Sequence, residues 1–338
     1  MILAGRRADR PLFCPAVYEH AAKLTGKSPS EVSRDAELLQ QAVLAELEVY
    51  SPDMLTVGVD IYNIEAEALG SSVTFGRAPD SVPVITERIL KGPDDIDKLS
   101  KIDPEKAGRM PLMLEAARAI RDKAGSQIYV RGAVSGPVSL AAELLGTENL
   151  LVAMVLQPKS ADKLLGFCTE IAISYGLAFI KRGLEVCVFD SQATPPLVSP
   201  QLYKDMVQPH TKRLMDSLKK GGAGFLEYVV GGDTGSIAEQ VFESGADIVL
   251  SDFVSDVNIF LEGTMDRKIL VRRNISPLLI EQGPEGRLAA EVNSVLELAA
   301  EHKNVIVGTG VISYNTDVER VLQVKKMFFE RFGRKARN

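Results

Sequence analysis

Short apolar, β-branched runs recur along the whole chain, separated by longer stretches of helical character. They fall at Pro11–Tyr18, Met54–Ile61, Gln127–Val134, Glu185–Ser191, Gly224–Val230, Asp247–Val254, Lys268–Ile275 and Asn304–Val311. Runs of this length between turn signals predict strands buried on both faces of a parallel sheet. Between them lies helix punctuation. Ser28-Pro29-Ser30-Glu31 reads as a capping box with proline at the first helical position, opening a helix to about Tyr50. Ser199-Pro200 opens another, and Gly183 and Lys220-Gly221-Gly222 look like C-terminal stops.

Eight strand–helix units close most simply as an α/β (β/α)8 TIM barrel. An open doubly wound sheet would want a glycine-rich turn after the first strand, where the chain has Glu19-His20-Ala21-Ala22-Lys23 instead. Two segments exceed what a crossover needs. Residues 62–110 follow the second strand and include a predicted hairpin at Ser72–Phe75 and Val82–Ile85. Residues 135–183 follow the third and have room for two or three helices. Excess of this kind usually sits on the working face of a barrel. The whole of 1–338 is expected to be one such domain.

Composition narrows the function. The 338 residues carry a net charge of −6, which argues against nucleic acid as a partner and leaves any anionic ligand to a few placed arginines. No run of 18 or more purely apolar residues is present, so no membrane span is expected, and the amino terminus lacks the apolar core of a signal peptide. Cys14, Cys168 and Cys187 form no CxxC pair, which suits free thiols in a reducing cytoplasm. The basic tail from Lys325 to Asn338 is expected to fray.

In a barrel the chemistry comes from the carboxyl ends of the strands. Those ends supply Tyr18 and His20, Asp60, Arg131, Asp190 and Ser191, Glu227 and Tyr228, Asp252, then Arg272, Arg273 and Asn274. Asp60, Asp190, Glu227 and Asp252 are expected to converge on one rim with few cations. Crowded carboxylates raise one another's pKa and make a general acid available. Glu227, in an apolar Val-Val-Gly-Gly context between Asp190 and Asp252, is the first candidate, and Asp190 and Asp252 complete the catalytic set. The competing reading pairs Glu227 with Arg272 or Arg273 and makes the lattice a brace for the barrel mouth.

Several segments resemble the uroporphyrinogen decarboxylase and corrinoid methyltransferase superfamily. Asp60 with Glu65-Ala66-Glu67-Ala68-Leu69-Gly70 is similar to the segment after its second strand, and Ser135-Gly136-Pro137-Val138-Ser139-Leu140-Ala141 to the turn after its third. Asp190-Ser191 with Leu197 to Pro200, Gly232-Asp233-Thr234, Asn274-Ile275-Ser276-Pro277 and Thr316 to Val321 follow in register. Read from the strand ends, the substrate-facing set is Tyr18, His20, Asp60, Arg131, Tyr228, Arg272 and Asn274. Glu143 joins it, near the place where the decarboxylases carry a tyrosine.

The resemblance is nearer the methyltransferase branch. The decarboxylases' arginine-rich loop after strand one is replaced by Ala16-Val17-Tyr18-Glu19-His20, and their late histidine by Gly310. The thiol-methylating branch's zinc ligands correspond to Val229, Gly231 and Gly310, so no zinc is expected. The resemblance therefore implies a methyltransferase. It would move a methyl group between a small O- or N-methylated molecule and a corrinoid (methylcobalamin) carried on a partner protein, by carboxylate acid catalysis, with a homodimer compatible. The alternatives are a lyase acting on a tetrapyrrole or small acid, and a noncatalytic member that binds a corrinoid protein.

Overall fold

The computed structural model describes residues 9–333, together with the backbone of 2–3 and 6–7. Among these residues eight parallel strands form one sheet. They are β1 (Phe13–Ala16), β2 (Met54–Val57), β3 (Tyr129–Ser135), β4 (Glu185–Phe189), β5 (Leu226–Val229), β6 (Ile248–Ser251), β7 (Leu270–Ile275) and β8 (Val305–Val311). Each predicted run contains one of them. From β2 to β8 every strand pairs with its successor, and β8 pairs with β1, so the sheet curls into an α/β TIM barrel. No ladder joins β1 to β2 among the described residues. Asp53 closes that seam: its N–H donates to the Phe13 carbonyl at 2.8 Å, its carboxylate accepts the Phe13 N–H at 2.8 Å, and Arg10 pairs with it at 2.7 Å.

Side chains of a strand alternate between the two faces of the sheet. Here Val186, Val188, Tyr228, Val249 and Val271 point outward into the large core shared with the helices. The inward residues stack in layers. Leu12, Met54, Tyr129, Phe225, Ile248 and Leu270 plug the lower end of the barrel. Ala16, Tyr18, Ala133, Cys187, Phe189, Val229 and Leu250 form an upper layer. Between them lie buried Arg131, Glu227 and Arg272. Cys14, Cys168 and Cys187 are all buried free thiols.

Both long segments build the carboxyl face. The first folds into a helix at Asn63–Ala68 and a hairpin of Ser72–Thr74 against Val84–Glu87. The second gives three helices, Pro137–Leu145, Thr147–Leu156 and Pro158–Ile180.

Two expectations are corrected. The Ser28 capping box forms, but its helix stops at Val32, because Asp35 starts a new helix (Ala36–Tyr50) by accepting from the N–H groups of Glu37 and Leu38. The tail does not fray from Lys325: the last helix runs Val318–Phe332, with Lys325 donating to the Val49 carbonyl, while 334–338 lie outside the described residues. Helix Pro158–Ile180 is long and apolar enough to cross a membrane by length and composition. It buries Leu164, Cys168, Ile171, Tyr175 and Phe179 instead, and pairs Lys163 with Asp97 and Glu170 with Lys101 on its other side.

Candidate active site

A cleft of about 540 Å³ opens above the upper layer at the carboxyl ends of the strands. Its floor is set by strand parity. On β6 the inward positions run Ile248, Leu250 and then Asp252; on β7 they run Leu270, Arg272 and Asn274. Asp252, Arg272 and Asn274 therefore reach the cleft. Asn274 Nδ2 donates to Asp252 Oδ1 at 3.1 Å, and the N–H groups of Gly232 and Phe253 donate to the same carboxylate at 2.9 and 3.0 Å.

The first strand end supplies the wall. Tyr18 lies in the cleft with φ 34°, a conformation that costs a non-glycine residue free energy and persists where the surroundings enforce it. Burial pushes its pKa well up, against the opposing charge of Arg272 nearby. The turn at Tyr18 sets Glu19 against the cleft and swings His20 away from it. His20 is fully buried, its Nδ1 3.0 Å from the Ser313 carbonyl and its Nε2 2.7 Å from the Tyr50 hydroxyl. Burial lowers its pKa.

Glu19 is the residue that sequence reasoning missed. It lines the cleft, forms no ion pair among the described residues, and burial pushes its carboxyl up to about 7. Asp60 lines the same cleft from the loop after β2. Burial lifts Asp60 to about 6, outweighing Arg109, which pairs with it at 2.7 Å. Glu143, on helix Pro137–Leu145, lines the cleft too, and its pKa is also raised by burial. The lining is completed in part by Tyr62, Phe189, Ser191 and Phe253.

The expected convergence of four carboxylates is thus corrected: Asp60 and Asp252 reach the cleft, Asp190 and Glu227 do not. Asp190 has the outward parity of Val186 and Val188. It accepts the Ser139 N–H at 2.7 Å at the first turn of helix Pro137–Leu145, with the Tyr228 hydroxyl 3.4 Å away, and burial lifts it to about 7. Tyr228 is outward as well, its hydroxyl 3.0 Å from that of Tyr203. Glu227 is inward but lies one layer below Val229. The apolar surroundings expected for it are replaced by two guanidinium groups, Arg131 on one oxygen and Arg272 at 2.7 Å on the other. Arg131 also donates to Thr56 Oγ1 at 2.7 Å and contacts the Cys14 thiol, beneath the cleft. Among the expected substrate-facing residues, Tyr18, Asp60, Glu143, Arg272 and Asn274 line the cleft, while His20, Arg131 and Tyr228 do not.

Val229, Gly231 and Gly310, the places matching the zinc ligands of the thiol-methylating branch, sit together in this wall, yet none carries a thiol or imidazole. That donor set does not fit zinc. Among the described residues no group of three or more His, Cys, Asp or Glu is arranged to hold a metal ion.

Comparison with known proteins follows the same lines. The sequence matches the uroporphyrinogen decarboxylase (URO-D) family over residues 1–328. It is 23% identical over 300 residues to a methylcobamide:CoM methyltransferase of Methanosarcina barkeri, covering 87% of this chain and 86% of that protein. It is 28% identical over 263 residues to a uroporphyrinogen decarboxylase of Carboxydothermus hydrogenoformans, covering 74% and 73%. The fold matches a solved methyltransferase from Methanosarcina mazei with a TM-score of 0.82 at 20% identity, over 96% of each chain.

Proposed function

The chain belongs to the uroporphyrinogen decarboxylase family, and from that premise we propose that it transfers a methyl group between a small O- or N-methylated molecule held in the cleft and a corrinoid presented at its mouth. Similarity to methylcobamide methyltransferases supports the transferase reading. The observation that carries it is Glu19: a cleft-wall carboxyl with no cationic partner, poised near neutral pH. Such a group works in either form. Protonated, it donates to an oxygen that is losing its methyl group; ionised, it faces a positively charged nitrogen.

The catalytic assignment moves accordingly from Glu227 and Asp190 to Glu19, with Asp60, Glu143 and Asp252 lining the same cleft. The corrinoid is a co-substrate here. It supplies the nucleophilic metal that accepts the methyl, and Val82 and Val311 at the lip, 42% and 50% exposed, offer it apolar contact. Decarboxylation of uroporphyrinogen fits less well, because a polyanion would meet four carboxylates and one arginine already committed to Glu227.

The test is incubation of the purified protein with reduced cobalamin and a panel of methyl ethers and methylated amines, followed in the visible spectrum. Methylation of the corrinoid by one of these donors is expected, with a Glu19→Gln variant slower by roughly 10²-fold. Consumption of uroporphyrinogen at an enzyme-like rate, with no donor methylating cobalamin, would overturn the reading.

A further inference from the structure

Aromatic side chains in the cleft form a box. Phe189 is met edge-on by Tyr18, with ring centroids 5.7 Å apart at 84°, and by Tyr62, at 6.4 Å and again 84°. Both pairs are near-perpendicular, and all three rings line one cavity. The Tyr62 hydroxyl donates to Ser191 Oγ at 2.9 Å, which fixes that ring in place.

Acids surround the box with little to balance them. Arg109 is shared between Asp60 and Glu67, and Glu227 lies between Arg131 and Arg272, which leaves one positive charge beneath the cleft floor. Glu19, Glu143 and Asp252 remain at the cleft with no ion pair among the described residues. Asn274 spends its Nδ2 on Asp252, and its Oδ1 is buried without a hydrogen-bond partner. The cleft thus offers carboxylates beside a cluster of aromatic rings. An anion would be repelled, and a neutral apolar molecule would leave buried carboxylates unpaired.

We infer that the molecule bound in this cleft is a small methylated ammonium ion, most simply a quaternary one. The inference rests on the methyl-transfer reading for its chemistry. The N–C bond breaks with its electron pair kept by nitrogen, the methyl passes to the electron pair of the reduced corrinoid, and a neutral tertiary amine leaves. No proton is transferred, so Glu19 serves this substrate as the ionised counter-charge. Cation–π attraction, strongest for a desolvated ammonium ion, supplies the recognition.

The experiment is calorimetric titration with choline and with 3,3-dimethylbutan-1-ol, its uncharged isostere, with no corrinoid present. Choline is expected to bind at least about tenfold more tightly. Tyr62→Leu, at a half-buried ring, is expected to remove most of that preference, and Phe189→Leu the rest if it folds. Equal affinity for the two probes, or a preference for the alcohol, overturns the inference. So does a choline preference that Tyr62→Leu leaves intact. The two proposals fail separately: choline binding without methyl transfer from any amine or ether sinks the transferase reading alone, whereas cobalamin methylated by an ether with no choline preference sinks this one.

Discussion

Glu19 and Glu227 lie in the same barrel, one at the cleft wall and one a layer below it, and their surroundings are opposite. Glu227 is fully buried with a guanidinium on each oxygen, inside a sleeve of apolar residues above and below. Glu19 is half-buried, faces the cleft and has no cation paired with it. The first arrangement holds its charge and is sealed from substrate. The second leaves its proton free to come and go near pH 7. A buried carboxylate is thus a brace or a working group according to what faces it, and depth in the barrel decided which.

The largest expected effect breaks the lower layer. Glu227→Ala leaves two guanidinium groups unpaired in the barrel core and should cost about 3–5 kcal/mol, read from urea unfolding. A triple replacement, Arg131→Met, Glu227→Leu and Arg272→Met, should regain most of that loss, since well-packed apolar residues can replace a buried ionic cluster. A Glu227→Ala protein that unfolds like the parent would mean that the layer braces nothing.

The next effect is on the upper residue. The pH profile of kcat/KM should bend near 7, following the raised pKa of Glu19, and Glu19→Gln should remove the bend while leaving the fold stable. The direction of the bend sharpens the comparison. A rate that rises with pH calls for the ionised carboxylate and a cationic nitrogen donor. A rate that falls calls for the protonated acid and an ether. A bend that survives in Glu19→Gln would return the role to Asp60 or Glu143.

A smaller effect concerns carboxyls that are buried, as Glu227 is, but lack its paired arginines. Burial lifts Glu46 to about 8, and Glu65 and Asp190 to about 7. Their folded values lie above their unfolded ones, so the folded chain holds more protons between the two. Stability is then full below the ordinary carboxylate range and is lost as pH rises through 7 to 8. The urea midpoint should fall from pH 5 to pH 8.5, each group adding at most about 1.4 kcal/mol per pH unit. Glu46→Gln should make the decline shallower; an unchanged slope would place the proton elsewhere.

What the sequence determined by itself was local and periodic. The eight strands, the Ser28 cap, the hairpin after β2 and the three helices after β3 all follow from patterns a few residues long, because backbone pairing and capping act over that range. The two-residue repeat sets Tyr228 apart from Glu227 on their shared strand, but it did not show that Asp190 faces outward, because strands apolar on both faces do not mark which face is inward. Depth was not legible either, since how far a side chain stands along the barrel axis depends on the stagger of all the strands together. That stagger sets Glu227 level with Arg131 and Arg272 and leaves Asp252 and Asn274 at the cleft. Nor could the sequence show the turn at Tyr18, where φ is 34° and the alternation of the strand breaks. It turns Glu19 toward the cleft and His20 toward Tyr50. Only the assembled barrel, which packs the Tyr18 ring against Phe189, holds that strained residue in place and so decides which of the two becomes part of the site.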